Sequence, residues 1–229
     1  MSWYNSQDIM SRIPSPSIIR SVRRSISLHV SSHGELIVKA PFFVPEKIIQ
    51  NFIKDKEDWI LKALQKVGKS KINKKTYQEG EGFLYLGDKY KLHLGDFKEI
   101  SVTKTLNFPD FLSFRIKKEL TNWYIKQAKE VITNQVDHMS KKMNVKYKDL
   151  RFSDTSSKWG SCSPDNSLQF NWRLVMTPIT VINYVVIHEL THTTEKNHRS
   201  KFWKRVDIYT PAYKQHRKWL NNNKHLLEL

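Results

Sequence analysis

His188-Glu189-Leu190-Thr191-His192 is the most informative stretch of this chain, and a further histidine, His198, follows six positions after His192. On a helix, positions i and i+4 lie on one face, so His188 and His192 would present their imidazoles to the same side. Two imidazoles at this spacing can hold one metal ion. The stretch therefore predicts a helix that carries a metal site.

The residue after His188 indicates the chemistry of such a site. Glu189 would lie close enough to contact a metal-bound water but is badly placed to be a ligand itself. This is the HExxH arrangement, in which two histidines bind Zn²⁺ and the glutamate takes a proton from the water. His198 is the expected third ligand, which leaves a fourth position open for water, as a catalytic zinc site requires. We therefore predict Zn²⁺ as the cofactor, three histidine ligands and Glu189 as the catalytic residue.

The sequence before the motif favours a buried helix. Thr177-Pro178 is a helix-start signal, with threonine as the cap and proline at the first helical position. An apolar stripe at helical spacing follows, formed by Val181, Ile182, Val185, Val186 and Leu190. Unpartnered histidines and a glutamate would be costly on such a helix. The alternative is a core helix whose histidines are satisfied by ordinary hydrogen bonds.

Composition narrows the class of protein. The 229 residues are enough for one large domain or two small ones. The start of the chain has no apolar core behind basic residues, and the longest apolar run is too short to cross a bilayer. A single cysteine, Cys162, rules out an internal disulfide framework. These features predict a cytoplasmic protein that is not inserted in a membrane.

The charge balance suggests a second kind of partner. There are 39 Lys+Arg against 22 Asp+Glu, a formal net charge of +17, which favours acidic partners and nucleic acid above all. The basic residues are scattered and no nucleic-acid-binding motif accompanies them. One basic cluster directly surrounds and follows the third predicted ligand: Lys196, Arg199, Lys201, Lys204 and Arg205. A solvated basic surface and a surface that binds nucleic acid without sequence preference both remain open.

Periodicity divides the chain into three parts. Residues 1–16 are polar and predict a loose lead-in, and residues 17–106 predict a β-rich unit with one helix that begins at Pro45. Residues 107–229 begin at a break and contain a long helix from about residue 110 to 143. A strand near 150–154 and an alternating strand over 168–174 then precede the HExxH helix.

The order of these motifs resembles the YgjP-like metal-dependent hydrolases, which are relatives of the SprT-like zinc proteases. The resemblance spans nearly the whole chain and is carried by Lys158-Trp159-Gly160-Ser161-Cys162-Ser163, Phe170-Asn171-Trp172-Arg173-Leu174, Tyr184-Val185-Val186-Ile187-His188-Glu189-Leu190-Thr191-His192, Asn197-His198 and Phe202-Trp203. It implies an α+β, zincin-like fold in which the HExxH helix packs on a small sheet, preceded by a β-rich N-terminal unit. It also implies that the metal residues are His188, His192 and His198, with Glu189 catalytic. Arg199 stands where a serine more usually follows the third histidine.

The metzincin proteases share the spacing of the third histidine and are the competing class. They need a glycine three positions before that histidine and a methionine turn downstream. Here Glu195 takes the glycine's place, and no methionine follows Met176. The metzincin interpretation therefore fails, and Asn197, which tolerates the left-handed conformation, is predicted to end the helix instead.

Several other residues have two interpretations each. Asn171 and Arg173 would line the substrate groove or form a solvated strand face. Cys162 would be a fourth metal ligand or a small buried thiol. Three further residues are candidates for stabilising the oxyanion formed during hydrolysis, and the sequence does not choose among them: Tyr209, Tyr213 and His216.

Two functions follow from the sequence. The first is a zinc-dependent hydrolase, a metallopeptidase that cleaves amide bonds in a peptide or protein substrate with water activated by Glu189. The second is a nucleic-acid-associated basic protein whose zinc is mainly structural. A catalytic site keeps an open coordination position, whereas a structural site closes it with a fourth protein ligand. The oligomeric state is not indicated.

Overall fold

The computed structural model describes residues 13–31, 34–72, 75–155, 158–227 and 229. The chain forms two compact units, residues 1–74 and 75–229. Helices and small sheets occur together in both units, which confirms the predicted α+β class. Within the described residues, no helix is both long and apolar enough to cross a membrane.

The first unit is a three-stranded sheet with two helices. Its strands are β1 (Ser17–Ser21), β2 (Ser27–Val30) and β3 (Leu36–Pro41), in the order β1-β3-β2, with β1 parallel and β2 antiparallel to β3. Its helices are α1 (Glu46–Asp55) and α2 (Glu57–Ile72). The sequence predicted one helix here, but the backbone leaves helical geometry at Lys56, whose N–H bonds back to the Ile53 carbonyl.

The second unit begins with a four-stranded sheet in the order β4-β5-β7-β6. Its strands are β4 (Gly82–Tyr85), β5 (Asp88–Gly95), β6 (Ser101–Val102) and β7 (Leu106–Pro109). A 3₁₀ turn, Asp110–Arg115, leads into the long helix α3 (Ile116–Met143), which ends at Asn144 in the left-handed conformation. The Tyr124 hydroxyl donates to the Leu84 carbonyl at 2.8 Å, so β4 is tied to α3 in the core.

The remainder of the second unit carries a second sheet and three helices. Strands β8 (Leu150–Ser153), β9 (Gly160–Cys162) and β10 (Leu168–Asn171) lie in the order β8-β10-β9, with β8 parallel and β9 antiparallel to β10. A 3₁₀ turn, Trp172–Met176, precedes α4 (Ile179–Thr191), α5 (Ser200–Tyr209) and α6 (Tyr213–Asn223). A last 3₁₀ turn spans Lys224–Leu226.

The division between the units differs from the predicted boundary at 106/107. The tight turn between β4 and β5 explains why those strands belong to the second unit. Leu86 donates its N–H to the Val175 carbonyl at 2.8 Å, immediately before α4. A Cβ added to Gly87 would lie 2.8 Å from Pro178 Cα, so the turn lies directly against the start of α4. This hairpin and the later helices therefore share one core, and the units divide at residues 74/75 instead.

Strand β10 is shorter than the alternating pattern predicted. It stops at Asn171, whose Oδ1 accepts from the Arg173 N–H at 2.9 Å and whose Nδ2 donates to the Thr155 carbonyl at 2.7 Å. Asparagine side chains commonly compete with sheet hydrogen bonds in this way. Asn171 is buried by these contacts, so it does not lie on a solvated strand face.

Candidate metal centre

Helix α4 holds the HExxH stretch in the protein interior. Nine of its residues are buried, including the whole predicted apolar stripe. The predicted threonine cap is not formed, because the Thr177 hydroxyl donates to the Leu174 carbonyl and Pro178 occupies the cap position. Fully burying one large apolar side chain contributes about 1.5–3 kcal/mol, so this helix is fixed mainly by packing.

The end of α4 orients the second histidine. The helix ends at Thr191, and the hydroxyls of Thr193 and Thr194 donate to the last helical carbonyls. The turn brings the Glu195 carbonyl to 3.0 Å from His192 Nδ1. A carbonyl only accepts, so Nδ1 carries the proton and Nε2 keeps its lone pair for a ligand.

The sequence suggested that Asn197 would end this helix in a left-handed conformation, but it does not. Its backbone φ is not positive, and its Oδ1 accepts from the Arg199 N–H at 3.2 Å, just before α5 begins. The threonine hydroxyls already satisfy the end of α4, so a left-handed residue is not needed there. Asn197 instead fixes the turn that brings His198 back toward α4.

The three predicted metal ligands converge. His198 Nε2 lies 3.0 Å from His188 Nε2 and 3.1 Å from His192 Nε2. One ligand atom from each of the three side chains lies within 4.8 Å of the others, and together they could hold a metal ion. His188 and His192 are half-buried, whereas His198 is exposed. The local helix period supplies two of these groups, and the turn after α4 supplies the third.

The donor set suits a transition metal. Burial, followed by the neighbouring His192 and His198, lowers the pKa of His188 to about 3. Burial also lowers the pKa of His192, although the Glu195 carbonyl opposes this. Neutral imidazoles whose lone pairs face one another repel unless a cation lies among them. A set of three imidazole nitrogens is typical of Zn²⁺ sites.

Phe202 of α5 forms the floor of the histidine cluster. Its ring centroid lies 4.9, 4.5 and 4.6 Å from those of His188, His192 and His198, and the side chain is fully buried. The neighbouring Trp203 stacks on His198 at 5.7 Å. These rings restrict the imidazoles to a narrow set of orientations, as preorganised metal sites require.

Glu189 follows the first histidine and packs tightly against β9. The residue is only 6% exposed, and burial, partly opposed by the nearby Lys158, raises the pKa of its carboxyl to about 8. A Cβ added to Gly160 would lie 2.7 Å from both Glu189 Cγ and Oε1. The absence of a side chain at Gly160 therefore provides the space that the Glu189 side chain occupies.

His188 and Glu189 open onto a cavity of about 170 Å³. Four of its lining residues were not singled out as site residues from the sequence: Trp159, Tyr184, Arg217 and Asn221. Tyr184 was accessible to sequence reasoning, because it precedes His188 by one helical turn and lies on the same face. Its ring is 5.9 Å from that of His188. Arg217 and Asn221 come from α6 and carry no such signal.

The other residues singled out from sequence do not line this cavity. Tyr213 stacks on Trp203 at 5.2 Å, and His216 lies 6.2 Å from Tyr184. Tyr209 is half-buried against the main core. Arg173 pairs with Asp154 and covers the Trp172 ring.

Cys162 is outside the metal-binding group found among the described residues. Its Sγ donates to the Ser163 carbonyl at 3.5 Å, and burial raises the pKa of the thiol. Since only the thiolate binds a metal well, these properties favour the small, half-buried thiol over a fourth ligand.

The basic cluster after His198 divides into two groups. Arg199, Lys201 and Lys204 are exposed. Arg205 is half-buried and donates to the Met143 carbonyl at 3.1 Å, while Lys196 donates to Asn166 and Ser163. Two of the five cations, Lys196 and Arg205, therefore have hydrogen bonds to the protein, and Lys196 is exposed like the other three.

A buried glutamate beside three converging imidazoles, on a helix with the HExxH pattern, defines a metallopeptidase-type site. The chain belongs to the YgjP-like family, since the model of the YgjP-like metallopeptidase domain matches residues 24–223. This confirms the resemblance seen in the sequence and identifies the chain as a metal-dependent peptidase in general terms.

The comparison with solved structures found the crystal structure of the metallopeptidase zymogen of Methanocaldococcus jannaschii jannalysin. It matches with a TM-score of 0.37 and 20% identity, covering 40% of this chain and 94% of that chain. The search of curated proteins returned no match.

Proposed function

We propose that this chain is a zinc-dependent peptidase in which His188, His192 and His198 bind the ion through Nε2 and Glu189 is the general base. The observation that carries the proposal is the convergence of three Nε2 atoms, with two separations of 3.0 and 3.1 Å, beside a buried carboxyl. When bound, Zn²⁺ supplies a Lewis acid that polarises the scissile carbonyl and lowers the pKa of water.

Glu189 has the position and the environment for proton transfer. Glu189 lines the cavity together with His188, so its carboxyl is within reach of a water or a peptide nitrogen held there. One Glu189 oxygen accepts the proton of the attacking water and later gives it to the leaving amine. The nearby Lys158 ammonium stabilises the carboxylate form of Glu189, which burial disfavours.

The cavity walls orient the substrate and exclude solvent. Trp159 and Tyr184 supply aromatic walls to the cavity that holds the carboxyl, and the Gly160 backbone limits how Glu189 can turn. A base held in one orientation loses no rotamer freedom during the reaction. The substrate is therefore a peptide or protein whose scissile bond enters this cavity.

The alternative is a nucleic-acid-associated protein with a mainly structural zinc. Exposed Arg199, Lys201 and Lys204 beside His198 favour a nucleic-acid contact. A structural zinc, however, needs a fourth protein ligand, and the metal-binding group found among the described residues has three members. The peptidase is therefore the better-supported function.

The test compares wild type with Glu189→Gln and, as a matched control, Glu130→Gln at an exposed position of α3. Gln keeps the volume and hydrogen-bonding reach of Glu189 but cannot accept a proton, so hydrolysis should fall by about 10²–10⁴-fold. Elemental analysis should find zinc in all three proteins, and Glu130→Gln should keep its activity. Absence of zinc after loading, or a Glu189→Gln protein as fast as wild type, would contradict the proposal.

A further inference from the structure

The outer face of α6 forms a basic groove, which we call the α6 groove. Its floor is the stacked pair Trp203 and Tyr213, and its cations are Lys214, Arg217 and Lys218. The volume is about 590 Å³, large enough for several amino-acid side chains. The α6 groove is therefore larger than the cavity that holds Glu189.

The charge of the α6 groove is not neutralised within the part of the chain that the structure describes. Lys214 Nζ lies 5.8 Å from the centre of the Tyr213 ring, and the Arg217 guanidinium lies 5.8 Å from that of Trp203. The lining includes no carboxylate. All three cations are exposed, and none of them has an ion pair or a side-chain hydrogen bond in the described chain. A cluster of this kind favours an anionic ligand.

The α6 groove continues into the candidate active site. Arg217 and Asn221 line both the α6 groove and the cavity that contains His188 and Glu189. Trp203, on the groove floor, also stacks on His198. A polypeptide whose scissile bond lies beside Glu189 would therefore place its adjoining residues over Arg217 and then over the two lysines.

We propose that the α6 groove binds carboxylate-bearing residues next to the scissile bond, so that the substrates are acidic peptide segments. This inference rests on the proposed peptidase function, because the occupant is the continuation of a polypeptide held at Glu189. Arginine and lysine supply the donors that carboxylates accept, and the aromatic floor covers the aliphatic parts of the same side chains.

The experiment measures peptide binding without turnover, using zinc-loaded Glu189→Gln protein. One fluorescein-labelled peptide of about ten residues carries alternating glutamates, and a second carries glutamine at those positions. An exposed charge pair changes affinity by about two- to threefold, so three pairs should make the acidic peptide bind about tenfold more tightly at low salt. Lys214→Gln/Arg217→Gln/Lys218→Gln should abolish this preference, and Arg217→Gln alone should reduce it.

The matched control removes three exposed cations from α3, Lys118, Lys126 and Lys129, each replaced by glutamine, and should retain the preference. Equal binding of the two peptides, or an unchanged preference in the groove variant, would overturn the inference. The inference would also be overturned if the groove variant lost binding to a single-stranded oligonucleotide but still bound the acidic peptide. The α6 groove would then be a nucleic-acid site.

Activity assays separate this inference from the proposed function. If wild type cleaves both peptides equally and the groove variant does the same, the peptidase stands and the acidic preference fails. If wild type cleaves neither peptide while the acidic one still binds through the α6 groove, the peptidase fails and the binding surface stands.

Discussion

Replacing Gly160 with alanine should slow hydrolysis while leaving the fold and the metal in place. The added Cβ would lie 2.7 Å from Glu189 Cγ and Oε1, whereas ordinary contacts begin at 3.4 Å. Relief of this overlap needs a displacement of 3.4 − 2.7 = 0.7 Å, taken up by the Glu189 side chain or by β9. A displacement of about 1 Å at a reacting group can cost about 10²-fold in rate, so we expect kcat to fall about 10- to 100-fold.

The same substitution should have little effect on stability. Gly160 does not have a positive φ, so an L-residue does not strain the backbone. Alanine is favoured over glycine in a strand interior by about 0.5–1 kcal/mol, which offsets part of the overlap. The three metal ligands are not among the nearest atoms to the new Cβ, so zinc content should be unchanged.

The assay follows kcat and KM with a quenched fluorescent peptide, together with zinc content and the unfolding midpoint. Gly82→Ala is the matched control, because it also adds a methyl group to a strand of the second unit, where the three nearest atoms all belong to the flexible Lys89 side chain. Gly160→Ala with unchanged kcat would refute the positioning role. So would a drop in zinc content equal to the drop in activity, since the defect would then lie in the histidines.

Three further predictions concern packing, pH and charge. Phe202→Ala should cost about 3–5 kcal/mol of unfolding free energy and weaken zinc binding, because Phe202 contacts all three ligand rings. Ile208→Ala, at an exposed position of the same helix, is the control. Unchanged zinc affinity in Phe202→Ala would contradict the prediction. Burial, and then the hydrogen bond to Asp137, raises the pKa of Tyr147 from 10.0 to about 12. The protonated Tyr147 hydroxyl therefore stabilises the folded state fully below pH 10, and this contribution is lost as the pH rises through 12. Tyr147→Phe should therefore flatten the alkaline fall of the unfolding midpoint, and an identical fall in both proteins would be the contrary result. If nucleic acid binds beside His198, replacing Arg199, Lys201 and Lys204 with neutral residues should make the slope of log affinity against log salt concentration shallower. The change should be about 0.9 for each duplex DNA phosphate that these residues contact. Equal slopes for wild type and variant would show that these residues are not part of the interface.

The sequence predicted the parts of the site that depend on helix periodicity. His188, Glu189 and His192 follow from positions on one helix. Tyr184 lies one turn earlier on the same face, but it was not singled out from the sequence. The α+β class and the hairpin before the long helix were also recoverable, because alternation and turn residues are local signals. Local patterns failed where side chains replaced backbone hydrogen bonds, as at Asn171 and at the end of α4.

The residues that shape the cavity come from packing between distant segments, which single-sequence patterns do not report. Gly160 affects the site only because β9 lies against α4. Arg217 lines the same cavity only because α6 packs beside α4. A glycine in a strand and an arginine on a polar helix face are each unremarkable alone. We therefore expect the chemistry of this site to depend on α4 and on the turn that carries His198, and its geometry and substrate preference to depend on β9, α5 and α6. Substitutions in β9, α5 and α6 should mainly alter rate, metal affinity and specificity, respectively, whereas substitutions in α4 and in the turn that carries His198 should affect all three together.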